Sequence, residues 1–193
     1  MTMIAFVRHG VTDWNKEQRA QGTLDIPLNS EGKEQALKLA NRFKNEHWDK
    51  VISSDLSRAR ETGETIANTL HIPFSTDGRL REISYGRLEG TNHKEREAKW
   101  GANWRELDHG IEKDEEVLKR GMEFVCDVAE QYPGEKIIVV SHGAFIKKLL
   151  NALIEQEVSD EPLHNTSVSI VTLNDKTWEC KLFNCADHLN RSF

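Results

Sequence analysis

Two apolar segments of the chain end in the same dipeptide, His-Gly, and a predicted helix follows each. The first ends in Phe6-Val7-Arg8-His9-Gly10 and the second in Val139-Val140-Ser141-His142-Gly143. Short, wholly apolar runs are typical of parallel strands that are buried on both faces. In open α/β sheets such strands end at one edge, and ligands bind there. The repeat therefore predicts that His9 and His142 lie together at the carboxyl edge of a sheet.

Helix and strand patterns alternate along the rest of the chain. Asn29 is a predicted N-cap, and residues 54–57 offer further cap residues for a helix that carries Ala59 and Ile66. Helical patterns cover residues 30–45, 115–132 and 144–154, and strand patterns cover 3–7, 51–53, 137–140, 168–173 and 177–183, the last two as a hairpin. This alternation predicts an α/β fold, a three-layer α/β/α sandwich around a mainly parallel sheet.

Residues 91–112 are charged, contain tryptophan and lack a clean period, which predicts a short helical cap insertion over the sheet edge. The whole chain, residues 1–193, is predicted to form one domain. Basic residues in the insertion alternate with acidic ones, which favours a solvated helix over a ligand-binding one. The basic residues are Lys94, Arg96, Lys99 and Arg105, and the acidic ones are Glu95, Glu97 and Glu106.

The composition limits the classes of binding partner and the cellular compartment that we expect for the protein. The net charge is -6 and no Lys/Arg-rich block occurs, which argues against a nucleic-acid or anionic-membrane surface. The first apolar run is short and meets Arg8, so it predicts a strand and not a signal peptide. No segment has the length of a membrane span. The three cysteines, Cys126, Cys180 and Cys185, lack disulfide or zinc spacing and indicate reduced thiols in the cytoplasm. A monomer and a homodimer are both compatible with the sequence.

The Arg8-His9-Gly10 tripeptide fits phosphoryl-transfer chemistry. A phosphoryl group spreads negative charge over three oxygens, which a guanidinium fork can hold. His9 could attack phosphorus and form a phosphohistidine, while Gly10 permits close backbone approach. The alternative is a histidine that packs under the end of a strand, and for the tripeptide alone this alternative is favoured.

Three further residues complete a candidate site. Arg58 lies in the first turn of a predicted helix, where a cation opposes the helix dipole unless an anion binds there, whereas Arg60 is spaced to pair with Glu64. A phosphohistidine hydrolase needs an acid for the leaving oxygen and a base for water, and Glu82 could serve both steps. His142 begins a helix and, when protonated, could bind a phosphoryl oxygen. Taken singly, each residue is also compatible with a structural role.

The order of the motifs resembles that of the histidine phosphatase superfamily, the fold of the cofactor-dependent phosphoglycerate mutases. The resemblance covers nearly the whole chain. Its motifs, in order, are Arg8-His9-Gly10, Asn15, Gln21-Gly22, Leu28 to Gly32, Ser54 to Ala59, Leu80-Arg81-Glu82, Tyr85-Gly86 to Gly90, and Ser141-His142-Gly143.

The resemblance implies a role for each matched residue. His9 would be the nucleophile and Glu82 the proton donor and then the base. Arg8, Arg58 and His142 would hold the phosphoryl group. The substrate-binding residues would be Asn15, Gln21, Gly22 and Gly143. No metal and no cofactor are expected, and the partner would be a small phosphorylated metabolite.

Two substitutions favour hydrolysis over mutase activity. The mutases place Arg after the glutamate and Lys after the later asparagine, where these residues grip the substrate carboxylate; here the positions hold Ile83 and His93. A site that loses such partners loses its substrate. The chain therefore resembles the broad-specificity phosphatase branch most. A phosphoglycerate mutase, a non-catalytic phospholigand-binding module and a metal-dependent hydrolase remain alternatives.

Overall fold

A computed structural model describes residues 2–154, 159, 161–175 and 177–190 of the chain. Its centre is a six-stranded sheet with the order β3-β2-β4-β1-β5-β6. The strands are β1 (Thr2–Arg8), β2 (Lys50–Ser53), β3 (Phe74–Thr76), β4 (Lys136–Ser141), β5 (Val168–Asn174) and β6 (Thr177–Cys185). The first four are parallel to one another, β5 is antiparallel to β1, and β6 is antiparallel to β5. The prediction of an α/β fold with a mainly parallel sheet is confirmed.

Helices cover both faces of the sheet. They are α1 (Asp13–Lys16), α2 (Ser30–Phe43), α3 (Ser57–Leu70), α4 (His93–Trp100), α5 (Asp114–Gln131) and α6 (Gly143–Leu153). Short 3₁₀ turns occupy Gly78–Leu80, Gly86–Leu88, Trp104–Glu106 and Asp187–Leu189. Among the helices that the structure describes, none is long and apolar enough to cross a membrane.

The alternation of side chains along β1 and β4 builds the two cores. Ile4 and Phe6 of β1 pack in one core, together with α5 and α6. Ala5 and Val7 pack in the other, together with α2 and α3. Because successive residues of a strand point to opposite faces, an unbroken apolar run fills both cores at once. This is the physical reason why the two apolar runs are central strands.

The parallel register of β1 and β4 sets the position of the two histidines. Arg8 is paired with Ser141 at the carboxyl end of both strands. The next residue in each strand is His9 or His142, and the His9 N–H donates to the Ser141 carbonyl at 3.0 Å. The sheet therefore presents both histidines at one edge, as the repeated dipeptide predicts.

Two local features differ from the sequence-based prediction. The short strand β3 is not among the predicted strands, because its sequence lacks a clear pattern. Its Phe74 and Ser75 pair with Val51 and Ile52 at the edge of the sheet. The N-cap of α3 is Leu56, which lies within the predicted stretch 54–57, but its side chain makes no cap bond. Instead Asp25, from a distant loop, accepts the Ser57 N–H at 2.7 Å. A cap supplied across space leaves no local signal in the sequence.

Candidate active site

His9 is held in one orientation at the end of β1. It is almost fully buried, and its Nδ1 lies 2.7 Å from the Gly10 carbonyl oxygen. A carbonyl oxygen only accepts, so Nδ1 carries the proton and the Nε2 lone pair is left for a reaction. Burial lowers the pKa of His9 well below its ordinary value, and the charges of Arg58 and Arg8 lower it further. The ring is therefore neutral and held in one orientation.

His142 lies beside His9 at the end of β4. The two ring centroids are 5.2 Å apart and the ring planes are tilted by 59°. His142 is the N-cap residue of α6, but its side chain forms no cap bond; its Nε2 lies 2.9 Å from the Ser54 hydroxyl. Burial and the positive charge of Arg58 lower the pKa of His142 well below its ordinary value. Without a bound anion, the ring is thus expected to be neutral at pH 7.

Three buried nitrogen atoms around His9 lack a hydrogen-bond partner within the part of the chain that the structure describes. They are Nε of Arg8, Nε of Arg58 and Nδ1 of His142. A buried polar group without a partner costs free energy, and native proteins pair nearly all such groups. Two guanidinium groups and one imidazole that converge in this way are suited to the oxygens of a tetrahedral anion. The structure thus brings together three residues that the sequence analysis predicts in one site.

Arg58 is completely buried on the first turn of α3. Its Nη1 donates to the Leu24 carbonyl at 2.7 Å and its Nη2 to the Gly22 carbonyl at 2.8 Å. Burial is the main cause that lowers the pKa of Arg58, to about 10. The side chain is still a cation at neutral pH, and two backbone carbonyls fix its orientation. A buried guanidinium held by neutral acceptors retains its charge for an anionic ligand.

Glu82 approaches the same centre from the segment that follows β3. Its Oε1 accepts the N–H groups of Ile83 at 3.0 Å and Phe145 at 2.9 Å, and its Oε2 accepts that of Ala144 at 3.3 Å. Ala144 and Phe145 lie in the first turn of α6, where N–H groups have no partner within the helix. Glu82 therefore supplies the anchor for α6 that the N-cap His142 does not.

The predicted substrate-binding residues lie at the same edge. The Asn15 Oδ1 accepts from Thr12 and from Asn165 Nδ2, and that same Nδ2 donates to the His9 carbonyl. Gln21 is buried and its Oε1 accepts the Thr12 hydroxyl at 3.0 Å. These bonds use the carbonyl oxygens of both amides, and their NH₂ groups donate to no partner among the described residues.

Two glycines let charged groups approach the backbone closely. Gly22 has φ +52°, and a Cβ there would lie 2.1 Å from the Glu89 Oε1. Gly143 begins α6, and a Cβ there would lie 3.1 Å from the Arg8 Nε. The structure thus gives both glycines a packing reason: Gly22 shapes the loop that holds Arg58, and Gly143 makes room for Arg8.

Sequence reasoning missed the residues that position this site. Glu89 accepts the N–H groups of Thr23 at 3.0 Å and Tyr85 at 2.9 Å, so it ties the Gln21-Gly22 loop to the segment after Glu82. Arg120 donates to the carbonyls of Arg79, Arg81 and Glu82 and fixes the path of the backbone there. The Thr23–Glu89 contact and the contacts of Arg120 join segments that are distant in the chain, and nothing in the local sequence marks either residue.

Helix α4 has no buried residue, in agreement with the prediction of a solvated helix in the 91–112 segment. Arg96 and Arg105 line a cavity on its inner side, whereas Lys94 and Lys99 do not. The predicted pairing of Arg60 with Glu64 is confirmed, at 3.9 Å. Among the described residues, no group of three or more His, Cys, Asp or Glu side chains is arranged to hold a metal ion.

The chain belongs to the histidine phosphatase superfamily: the model of branch 1 of this family matches residues 4–186. The fold described above is that of this class of protein.

Individual relatives resemble nearly the whole chain. An uncharacterized phosphatase, PhoE, from Bacillus subtilis (strain 168) is 35% identical over 98% of each chain. A metal-independent phosphoserine phosphatase from Arabidopsis thaliana is 34% identical over 98% of this chain and 84% of that protein. The structure of mycobacterial glucosyl-3-phosphoglycerate phosphatase Rv2419c with VO3 matches with a TM-score of 0.85 and 27% identity, covering 95% of this chain and 99% of the other. Other relatives bear the name of a probable phosphoglycerate mutase.

Proposed function

We propose that the protein is a phosphomonoesterase that works through a phosphohistidine at His9. One observation carries the proposal: the unpartnered nitrogens of Arg8, Arg58 and His142 converge around a neutral histidine whose Nε2 is unprotonated. Preorganised donors of this kind stabilise the charge that develops on a transferring phosphoryl group. A binding module would need the donors but not the nucleophile beside Glu82.

The reaction proceeds in two displacements. The Nε2 lone pair of His9 forms a bond to phosphorus while the bond to the leaving oxygen breaks, and Glu82 gives that oxygen a proton. The Glu82 carboxylate then takes a proton from water, whose oxygen attacks phosphorus and breaks the P–N bond. Inorganic phosphate leaves, and His9 is again neutral. Arg8, Arg58 and His142 hold the three non-bridging oxygens throughout.

Hydrolysis, and not phosphoglycerate mutase activity, is supported by the two positions that differ from the mutases. Ile83 is buried in the core between the sheet and α6, where it offers no contact to a carboxylate. His93 is exposed and lies 3.7 Å from the Glu97 carboxylate and 2.9 Å from the Arg105 guanidinium, so its side chain has one acidic and one basic neighbour. Neither residue replaces the cation that a mutase uses at that position.

The proposal also covers cofactors and location. The mechanism uses protein groups alone, so we propose a metal-independent enzyme, as the name of the Arabidopsis relative also suggests. Its substrate is a small phosphorylated metabolite. The three cysteines are free, in line with the cytoplasmic location that the sequence predicts.

The test is hydrolysis of 4-nitrophenyl phosphate in EDTA by the wild type, His9→Ala and His164→Ala. His164 has an exposed side chain and serves as the matched control. We expect turnover by the wild type and the control and none by His9→Ala. Loss of wild-type activity in EDTA, with recovery on adding a divalent metal, would support a metal-dependent hydrolase instead.

A further inference from the structure

A cavity of about 550 Å³ lies beside the candidate active site. One wall is the loop Gln18–Ala20, and the other comes from Tyr85, Leu88 and the 91–112 segment. The two walls are joined by backbone hydrogen bonds, from Ala20 N–H to the Thr91 carbonyl at 3.1 Å and from Gly90 N–H to the Ala20 carbonyl at 2.8 Å. Because backbone hydrogen bonds join its walls, the cavity is a fixed part of the fold.

The cavity adjoins the phosphoryl-binding groups. Its loop wall leads directly into Gln21 and Gly22, and the Gly22 carbonyl holds Arg58. Tyr85 forms the boundary: burial and the charge of Glu82 raise the pKa of its phenol, while the charges of Arg8 and Arg96 lower it. Tyr85 thus lies within electrostatic range of both the catalytic centre and the cavity. When a substrate's phosphoryl group is bound at His9, its leaving group therefore lies next to this cavity.

Two arginines share one indole on the cavity wall. The guanidinium carbon of Arg96 lies 5.1 Å from the centre of the Trp104 ring, and that of Arg105 lies 4.4 Å from it. Burial lowers the pKa of Arg96 and the positive charge of Arg105 lowers it further, whereas Tyr85 and Glu95 raise it. Like charges held this close raise the free energy of the empty site.

Neither arginine is neutralised by a carboxylate in the part of the chain that the structure describes. Arg96 donates only to the hydroxyl and the carbonyl of Thr91, and Arg105 contacts the Nε2 of His93. Arg19, on the opposite wall, is different, because it pairs with Glu95 at 2.6 Å and with Glu17 at 3.1 Å. Among the described residues, Arg96 and Arg105 therefore have no ion-pair partner, although the charge of Glu95 acts on Arg96, whereas Arg19 is already paired.

We propose that this cavity receives the leaving group, and that Arg96 and Arg105 select phosphomonoesters whose leaving group carries a second negative charge. The inference rests on the proposed function, because only a substrate bound at His9 places its leaving group here. An anion between the two guanidinium groups offsets their mutual repulsion and gains charge-assisted hydrogen bonds. Trp104 holds both side chains in place through cation–π contacts, so little conformational freedom is lost on binding.

The test compares two esters that differ only in charge at the far end, propyl phosphate and 3-phosphonooxypropanoate. Release of inorganic phosphate gives kcat/KM for each. We expect the wild type to prefer the carboxylate ester about tenfold or more, as for a charge-assisted contact. The double variant Arg96→Gln/Arg105→Gln brings this ratio to about one. Lys94→Gln removes one positive charge from the exposed surface of α4 and keeps the wild-type ratio.

The outcomes separate the inference from the proposed function. Hydrolysis of 4-nitrophenyl phosphate by the same preparations, with thermal melts to confirm folding, reports the phosphatase chemistry alone. Its absence would contradict the proposed function. Its presence, together with equal rates on the two esters, no hydrolysis of the carboxylate ester, or a preference that survives in the double variant, would overturn only the inference.

Discussion

The catalytic edge of the sheet and the cavity beside it use arginine in opposite ways. Arg58 at the edge is completely buried, and backbone carbonyls fix it, because strand and helix ends converge there. Arg105 in the cavity is exposed and rests on an indole ring within a segment that has little regular structure. In the proposed mechanism, the first arrangement holds one chemical group, a phosphoryl group, with rigid geometry. In the inference above, the second arrangement binds any leaving group that carries a negative charge, so many leaving groups are accepted. In this account, buried residues at the sheet edge carry out the reaction, and exposed residues of the cavity select the substrate.

The largest effect that separates the two regions is expected from Glu82→Gln with an alkyl phosphate. The glutamine keeps Oε1 for Ile83 and Phe145 but has no proton for the leaving oxygen. Release of the alcohol in the first turnover should slow on the order of 10²- to 10⁴-fold. Release of 4-nitrophenol, which leaves without a proton, should slow far less. Equal slowing of both esters in rapid-mixing experiments would remove Glu82 from the role of acid.

The next largest effect is expected from Arg58→Lys. Lysine cannot bond both the Gly22 and the Leu24 carbonyls and also present a donor to the phosphoryl oxygens. The kcat/KM should fall on the order of 10²- to 10³-fold, equally for neutral and anionic esters. Arg60→Lys, on the same helix but exposed and paired with Glu64, is the matched control and should stay near wild type. A loss confined to anionic esters would assign Arg58 to selection and break the contrast between the regions.

The smallest effect concerns stability and lies outside both regions. Burial, helped by the charge of Arg42, lowers the pKa of His188 to about 4. An unfolded histidine binds its proton near pH 6.5, so between these values the unfolded chain binds more protons and the free energy of unfolding falls as the pH falls. The melting temperature should therefore be lower at pH 5 than at pH 7. His188→Gln should reduce this drop, whereas the exposed His164→Gln should not; an unchanged drop in His188→Gln would contradict the assignment.

The part of this molecule that sequence reasoning reaches is the part with local periodicity. The unbroken apolar runs of β1 and β4 identify buried strands. Ile4, Phe6, Ile137 and Val139 lie in one core, and the residues next to them must be apolar because they lie in the other. The unfavourable position of Arg58 in a first helical turn points to an anion for the same local reason.

Contacts between distant segments leave no such pattern. Glu89, Arg120 and Asp25 position the site through residues far away in the chain, and any acidic or basic side chain on a loop looks alike in sequence. The interleaved charges of residues 91–112 suggest a solvated helix, yet Arg96 and Arg105 line the cavity because Trp104 fixes them there. Long polar side chains take their direction from tertiary contacts, which the one-dimensional pattern does not contain.

The most direct test of the central claim is to trap the phosphoenzyme. Wild type mixed with a ³²P-labelled phosphomonoester is quenched in alkali, which preserves phosphohistidine, and the labelled peptide and isomer are identified by mass spectrometry and ³¹P NMR. Because the Nδ1 of His9 is bonded to the Gly10 carbonyl, we predict acid-labile phosphate on the Nε2 of His9 and none in His9→Ala. Acid-stable label on another residue, or full turnover by His9→Ala, would contradict the account.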